Sequence, residues 1–169
     1  MELYLFRHGE IEDKNKFIGH TDSELTIKGK KQNLFTKIKI QKIKVDAVFS
    51  SNLKRTFIDN AVNVKNINEI NFGLWEGLSW YEIEEQFPKL VKNYLNNPLS
   101  FHFPNGENFD DFKIRVLYFI NNLKENNYKK VALITHKGVI QLLLNHFQNK
   151  DFWDIKISYG EMIKLNLHF

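Results

Sequence analysis

The chain has 169 residues, a formal net charge of +4 and no cysteine, so disulfides, thiolate nucleophiles and thiolate metal sites are excluded. Its length suits one domain with a substantial core, and its lysines are scattered rather than gathered into a basic tail. The longest apolar runs fall far short of the roughly 20 residues that cross a bilayer, and the N-terminus lacks the apolar stretch of a signal peptide. We therefore expect a single cytoplasmic domain over residues 1–169, with neither nucleic acid nor a membrane as a partner.

Strands are predicted at four places along the chain. Continuous apolar runs are typical of strands covered on both faces, and they occur at residues 3–6, 45–49 and 131–135. A terminal strand with one covered face is indicated by apolar residues at alternate positions, namely Ile163, Leu165, Leu167 and Phe169.

Helical periodicity separates these strands, at residues 27–40, 109–123 and 139–147. The first helix carries Leu34, Phe35 and Ile38 on one side, which predicts the face that packs on the core. Asn108 is a candidate N-cap for the second helix. Strands that alternate with helices predict a three-layer α/β/α sandwich around a mainly parallel sheet.

Polar side chains follow three of the predicted strands, at the point where each strand ends. In chain order these groups are Arg7, His8 and Gly9, then Ser50, Ser51 and Arg55, then His136 and Gly138. Because ligands of open α/β sheets bind beyond the carboxyl ends of the strands, we expect these side chains to lie close together.

Such a cluster of arginines and histidines is suited to a phosphoryl group. Guanidinium groups present forked donors that match phosphate oxygens, and a neutral imidazole can act as a nucleophile. The sequence contains no Gly-rich loop ending in Lys-Ser or Lys-Thr, so a P-loop enzyme is excluded. A metal site formed by His8, His20 and His136 is the weaker alternative, because no His-x-x-x-His spacing supports it.

Six motifs occur along the chain in the order RHGE, FIGHTDSELTIKGKKQ, SSNLKRT, EINFGLWEG, PNGENF and ITHKG. Together they closely resemble the histidine phosphatase superfamily, also called phosphoglycerate-mutase-like, and FGLWEG with PNGENF is most similar to its α-ribazole phosphatase and broad-specificity branch. The resemblance implies the phosphoglycerate-mutase-like fold. It also implies hydrolysis of a small phosphomonoester through a phosphohistidine intermediate, with no metal or organic cofactor.

The resemblance further implies a role for each matching residue. His8 is the nucleophile, and Glu69 is the proton donor. The side chains that hold the phosphoryl oxygens are Arg7, Arg55 and His136. Glu76 is the rival acid, or else a carboxylate that structures its loop, and bare chemistry does not separate it from Glu69.

The two histidines need unequal environments. His8 must attack through an unprotonated nitrogen while its other ring nitrogen is held by a hydrogen bond that we expect it to donate to a backbone carbonyl. His136 is expected to act as a donor or a cation that faces the anion.

Other residues have a functional and a structural interpretation. Gly19 and Thr21 either contact phosphate or form a turn, and Lys137 either binds a second acidic group of the substrate or is solvated. Ser50 either bonds Arg55 or caps a helix. The aromatic residues that either line a cleft or pack in the core are Trp75, Trp80 and Tyr81. The histidines interpreted as structural or surface residues are His102, His146 and His168.

The sequence departs from the superfamily pattern after Arg55, where FIDNA replaces the usual Gln-Thr-Ala element and the interval to Glu69 is short. This departure leaves the α-ribazole assignment open. The alternative enzymes are a phosphoglycerate mutase and a phosphohistidine-protein phosphatase, and the alternative of another class is a noncatalytic module that binds a phosphorylated ligand. The oligomeric state does not follow from the sequence.

Overall fold

A computed structural model of the chain describes residues 1–167, so the predictions for His168 and Phe169 lie outside the described residues. The strands are β1 (Glu2–Arg7), β2 (Ala47–Ser50), β3 (Val62–Asn63), β4 (Lys130–Thr135) and β5 (Met162–Asn166). The α-helices are α1 (Ile27–Ile43), α2 (Trp80–Gln86), α3 (Pro88–Asn96), α4 (Phe109–Asn122) and α5 (Lys137–Gln148). Within residues 1–167, none of these helices has the length and apolar character needed to cross a membrane.

The described strands form one sheet in the order β3-β2-β4-β1-β5. β1, β2, β3 and β4 run parallel to one another, and the edge strand β5 is antiparallel to β1. The predicted mainly parallel sheet is therefore confirmed. The two-residue strand β3 was not predicted, because Val62 and Asn63 form no apolar run that the sequence would reveal.

Helices cover both faces of the sheet. Leu3 and Leu5 of β1 pack with α4 and α5 on one face, whereas Tyr4 and Phe6 pack with Ile40 of α1 on the other. Strand side chains alternate between faces, so the continuous apolar run of β1 supplies both cores at once. The three-layer α/β/α prediction is confirmed, and Asn108 caps α4 through a 2.8 Å bond from the Asp111 N–H.

The predicted buried face of α1 is wrong. Leu34, Phe35 and Ile38 are exposed, at 57%, 61% and 37% of their full accessibility. The buried residues of this helix are instead Gly29, Asn33, Thr36 and Ile40. Small and polar side chains face inward because the backbone of α1 at Gly29 lies directly against the backbone at Gly9. A Cβ added at Gly9 would lie only 2.1 Å from the Gly29 carbonyl oxygen, so there is no room for larger groups.

A separate aromatic cluster forms the core of the chain segment between β3 and α4. Its fully buried centre is Trp75, against which Phe101 stacks with a ring separation of 5.2 Å. Further members packed around these two rings are Ile83, Val91, Phe103 and Tyr94. This cluster gives the segment that contains Glu69 and Glu76 a packed support of its own.

Candidate active site

β1 and β4 bring the two predicted site histidines together. The strands are adjacent and parallel, and Arg7 pairs with Thr135, so His8 and His136 leave the sheet at the same level. Their ring centroids lie 5.1 Å apart. The chain thus assembles side chains that are distant in sequence at the carboxyl edge of the sheet, as expected for this sheet type.

His8 is held in one orientation by its own loop. Its Nδ1 lies 2.8 Å from the Gly9 carbonyl oxygen, which can only accept, so Nδ1 carries the proton and Nε2 is left with a free lone pair. Burial lowers the pKa of His8 well below its usual value, and the positive charge of Arg55 lowers it further. The lowered pKa favours the neutral imidazole, in which Nε2 is the unprotonated nitrogen. His8 lines a cleft of about 280 Å³ that we call the catalytic cleft.

Arg7 lies beside His8 in the catalytic cleft. Its guanidinium stacks 3.7 Å from the ring centroid of Tyr159 and donates to the Ile157 carbonyl at 2.6 Å. Its Nε–H is buried and finds no acceptor among residues 1–167. A buried donor without a partner is costly, so this atom is suited to an anionic oxygen of a ligand.

Arg55 and His136 lie beneath the surface of the cleft, at 1% and 0% exposure. Arg55 Nε donates to Nδ1 of His136 at 3.3 Å, and its other nitrogens donate to carbonyl oxygens of Gly19 and Thr21. Nε2 of His136 lies 2.8 Å from Ser51 Oγ. These bonds all go to protein groups, so direct contact of Arg55 and His136 with a phosphoryl group stays a prediction.

Of the two expectations for His136, a donor or a cation, this environment favours the donor. Burial lowers the pKa of His136 well below its usual value, and the neighbouring Arg55 and His8 lower it further. Both histidines are therefore shifted towards the neutral form. They differ instead in hydrogen bonding, because both ring nitrogens of His136 have protein partners whereas Nε2 of His8 has none within the described part of the chain.

Glu76 structures the loop at residues 18–21. Its carboxylate accepts hydrogen bonds from the backbone N–H groups of Gly19, His20, Thr21 and Phe72, at 2.8 to 3.0 Å. The carbonyls of Gly19 and Thr21 meanwhile bond Arg55. The backbone groups of Gly19 and Thr21 are thus already paired with protein groups, which favours the structural interpretation of this loop. A contact of the Thr21 hydroxyl with phosphate stays a prediction.

Glu69 occupies a different position. It is nearly buried, lines the catalytic cleft together with His8, and accepts a 3.0 Å bond from the Gly138 N–H at the first turn of α5. Its second oxygen accepts only from its neighbour Ile70 among the described residues, at 3.1 Å. The two carboxylates are therefore distinct, since Glu76 is saturated with backbone donors and Glu69 retains acceptor capacity next to the cleft.

Residues 3–168 match the model of the histidine phosphatase superfamily (branch 1). The chain belongs to this superfamily. The adenosylcobalamin/alpha-ribazole phosphatase of Escherichia coli is 30% identical over 95% of this chain and 87% of its own length. The putative phosphoserine phosphatase 2 of Hydrogenobacter thermophilus is 26% identical over 98% of this chain and 89% of its own. A crystal structure of a putative alpha-ribazole-5'-P phosphatase from Escherichia coli superposes with a TM-score of 0.88 at 25% identity, covering 97% and 89% of the two chains.

In this member of the superfamily, an ion pair fixes the segment that carries Glu69. Arg115 of α4 bonds both oxygens of Glu107, at 2.6 and 2.8 Å. The same guanidinium donates to the carbonyls of Asn66, Asn68 and Glu69, at 2.8 to 2.9 Å. Sequence reasoning missed both partners, although Glu107 lies inside the PNGENF motif that carried part of the resemblance.

Three more residues shape this superfamily site, and two of them, Tyr159 and Asn33, were not predicted. Tyr159 stacks on Arg7 and lies 5.6 Å from the His8 ring. Asn33 accepts from the Gly9 N–H at 2.7 Å and donates to the Arg55 carbonyl at 2.9 Å, so it ties the two strand ends together. Ser51, rather than Ser50, bonds the site, because Ser50 points to Asn63 instead.

The remaining predicted residues lie at the edges of the site or outside it. Lys137 lines the mouth of the catalytic cleft, with Lys14 and Lys16. Trp75 is core, Trp80 packs against it, and Tyr81 is 73% exposed. Within residues 1–167 no group of three histidine or acidic side chains is arranged to hold a metal ion, so the three-histidine alternative gains no geometric support.

Proposed function

We propose that the protein hydrolyses small phosphomonoesters through a phosphohistidine formed on His8. The observation that carries this proposal is the His8 imidazole, whose Nδ1–H is held by the Gly9 carbonyl while Nε2 has no protein partner among residues 1–167, in a cleft also lined by Arg7 and Glu69. A binding module needs neither an activated nucleophile nor a nearby acid.

The reaction follows from the positions of these groups. Nε2 of His8 attacks phosphorus, the bond between phosphorus and the alcohol oxygen breaks, and protonated Glu69 gives its proton to the departing oxygen. Water then attacks the phosphohistidine while Glu69 takes a proton from it. The P–N bond breaks, inorganic phosphate leaves, and both His8 and Glu69 return to their starting forms.

Positive charge around the cleft stabilises the negative charge of the phosphoryl group while it is transferred. Arg7 supplies the unpartnered Nε–H, and charge on the phosphoryl oxygens is best stabilised by donors that are already in place. Arg55 adds a buried positive charge close to His8 and fixes the loop at Gly19 and Thr21. Each step uses only side chains of this chain and water, so the proposal includes no metal and no organic cofactor.

The test is phosphate release from a panel of esters that includes α-ribazole phosphate, phosphoserine and the phosphoglycerates, with and without EDTA. α-Ribazole phosphate comes first because of the motif resemblance and the name of the Escherichia coli relative. We expect turnover that survives EDTA, and an acid-labile, base-stable ³²P label on the protein after rapid quenching. His8→Asn should lose both the label and the turnover while its circular dichroism is unchanged; a labelled, active His8→Asn would refute the mechanism.

A further inference from the structure

A second cleft of about 260 Å³, which we call the apolar cleft, opens beside the catalytic cleft. Its volume is close to the lower end of small-molecule sites, which begin at about 300 Å³. The side chains that line it and matter most here are Phe72, Tyr94, Leu99, Phe103, Phe109 and Trp153. Aromatic and aliphatic groups therefore surround most of this space.

The apolar cleft and the catalytic cleft share a wall. Phe17, Glu69, Phe72 and Lys137 line both of them. Glu69 is the important member of this shared wall, because the proposed mechanism puts the departing oxygen at its carboxyl group. With the phosphorus on the His8 side of Glu69, the carbon skeleton attached to that oxygen extends to the other side, into the apolar cleft.

Charge is distributed unevenly between the two clefts. The catalytic cleft is lined by Arg7, Lys14 and Lys16 as well as Lys137. Within residues 1–167, the charged side chains lining the apolar cleft are Glu69 and Lys137, both on the shared wall. A polar alcohol with its own ammonium or carboxylate group would lose hydration there without gaining a charged partner beyond that wall.

We propose that the apolar cleft binds the alcohol half of the substrate, and that the preferred substrates are phosphomonoesters of aromatic or other apolar alcohols. This inference rests on the proposed function, because it takes the departing oxygen to lie at Glu69. Apolar area that leaves water on binding contributes roughly 25 cal/mol per Å² to the binding free energy. An aromatic ring therefore binds in this cleft substantially more tightly than a hydroxylated chain does. Phosphoserine and phosphoglycerates fall outside the preferred class.

The first test compares esters of primary alcohols, whose leaving groups differ little in basicity. We expect kcat/KM for 2-phenylethyl phosphate to exceed that for glycerol 3-phosphate and phosphoserine by about tenfold or more. Equal or higher kcat/KM for the polar esters would overturn the inference.

The second test uses paired surface variants. Leu99→Asp places a charge on the rim of the apolar cleft, whereas Leu95→Asp makes the same change at an exposed position of α3 that does not line it. We expect Leu99→Asp to lower kcat/KM for 2-phenylethyl phosphate about tenfold and that for glycerol 3-phosphate less than twofold. Leu95→Asp should change neither; the same loss in both variants would refute the assignment.

Binding measured without turnover separates this inference from the proposed function. Isothermal titration with 2-naphthylmethylphosphonate and with methylphosphonate, neither of which can be hydrolysed, should give at least tenfold tighter binding of the naphthyl compound. That preference should disappear in Leu99→Asp. Equal affinities would overturn the apolar cleft as a ligand site even if phosphate release is observed, whereas preferential binding without release from any ester would refute only the hydrolytic mechanism.

Discussion

The Gly138 N–H donates a 3.0 Å hydrogen bond to Glu69, and an added Cβ at position 138 would lie only 2.3 Å from the other Glu69 oxygen. The first turn of α5, which begins after His136, thus holds the proposed acid Glu69 and determines how closely its carboxyl group approaches the helix backbone. Only a residue without a side chain lets the carboxyl group approach the helix this closely.

Gly138→Ala is expected to lower kcat by about 10²-fold, the lower end of what a positioned acid contributes, because the methyl group displaces the Glu69 carboxyl group. Folding should be retained, since alanine is favoured over glycine by about 1 kcal/mol within a helix. Steady-state kinetics and thermal unfolding measure the two effects. In a Glu69→Gln background the same change should cost little further activity, and additive losses would contradict the link through Glu69.

Glu69→Gln and Glu76→Gln should separate the two rival carboxylates. Removing the acid at Glu69 is expected to slow alkyl esters by about 10²-fold or more, and p-nitrophenyl phosphate much less, because nitrophenolate needs no proton to leave. Glu76→Gln instead places an amide N–H₂ against backbone donors and should destabilise the fold by about 1–3 kcal/mol in urea unfolding. A leaving-group-dependent loss in Glu76→Gln would reverse the assignment.

Arg115→Gln is expected to lower kcat more than it raises KM, because the carbonyls of Asn66, Asn68 and Glu69 lose their shared donor. Unpaired Glu107 should also reduce the free energy of unfolding by about 2–4 kcal/mol. The matched control is Lys113→Gln, which removes a positive charge from the same helix but leaves these bonds in place. Activity in Arg115→Gln should be measured well below its unfolding midpoint, and an unchanged kcat there would show that Arg115 does not position Glu69.

Stability should fall as the pH decreases from 7.5 to 5.5. The pKa values of His8 and His136 are lowered in the native state, chiefly by burial, so the unfolded chain binds protons near pH 6.5 that the folded chain does not. Each histidine should therefore lower the free energy of unfolding by about 1.4 kcal/mol between pH 7.5 and pH 5.5. Urea unfolding at several pH values measures the slope, and His8→Asn should make it shallower; an identical slope in the variant would show that His8 is not the source.

Patterns local in sequence predicted the sheet and its rim. The apolar runs that became β1 and β4 are continuous and bounded by polar residues, so periodicity alone revealed them. Their parallel pairing then followed from the helices between them, and with it the proximity of His8 and His136. The helix predicted at residues 139–147 likewise begins within two residues of the start of α5 at Lys137.

Features that depend on tertiary packing were not predictable in this way. The inner face of α1 carries Gly29 and Asn33 because it meets the backbone at Gly9, next to His8, and no hydrophobic pattern encodes such a contact. The Arg115–Glu107 pair joins residues that look like ordinary surface charges in the sequence. The roles of Arg55 and Glu76 likewise depend on which backbone groups the loop at residues 18–21 presents to them.

The place of β1 in the sheet has a consequence for folding. Glu2 at the start of this strand pairs with Lys130 on one side and with Asn166 on the other. Both neighbours of β1 therefore come from segments far along the chain, and such long-range pairing makes folding slow. Until β4 and β5 have docked, the strand has two open edges that can pair with other chains. The site at the end of β1 is thus assembled late in folding, and its strand is exposed to misassociation until then.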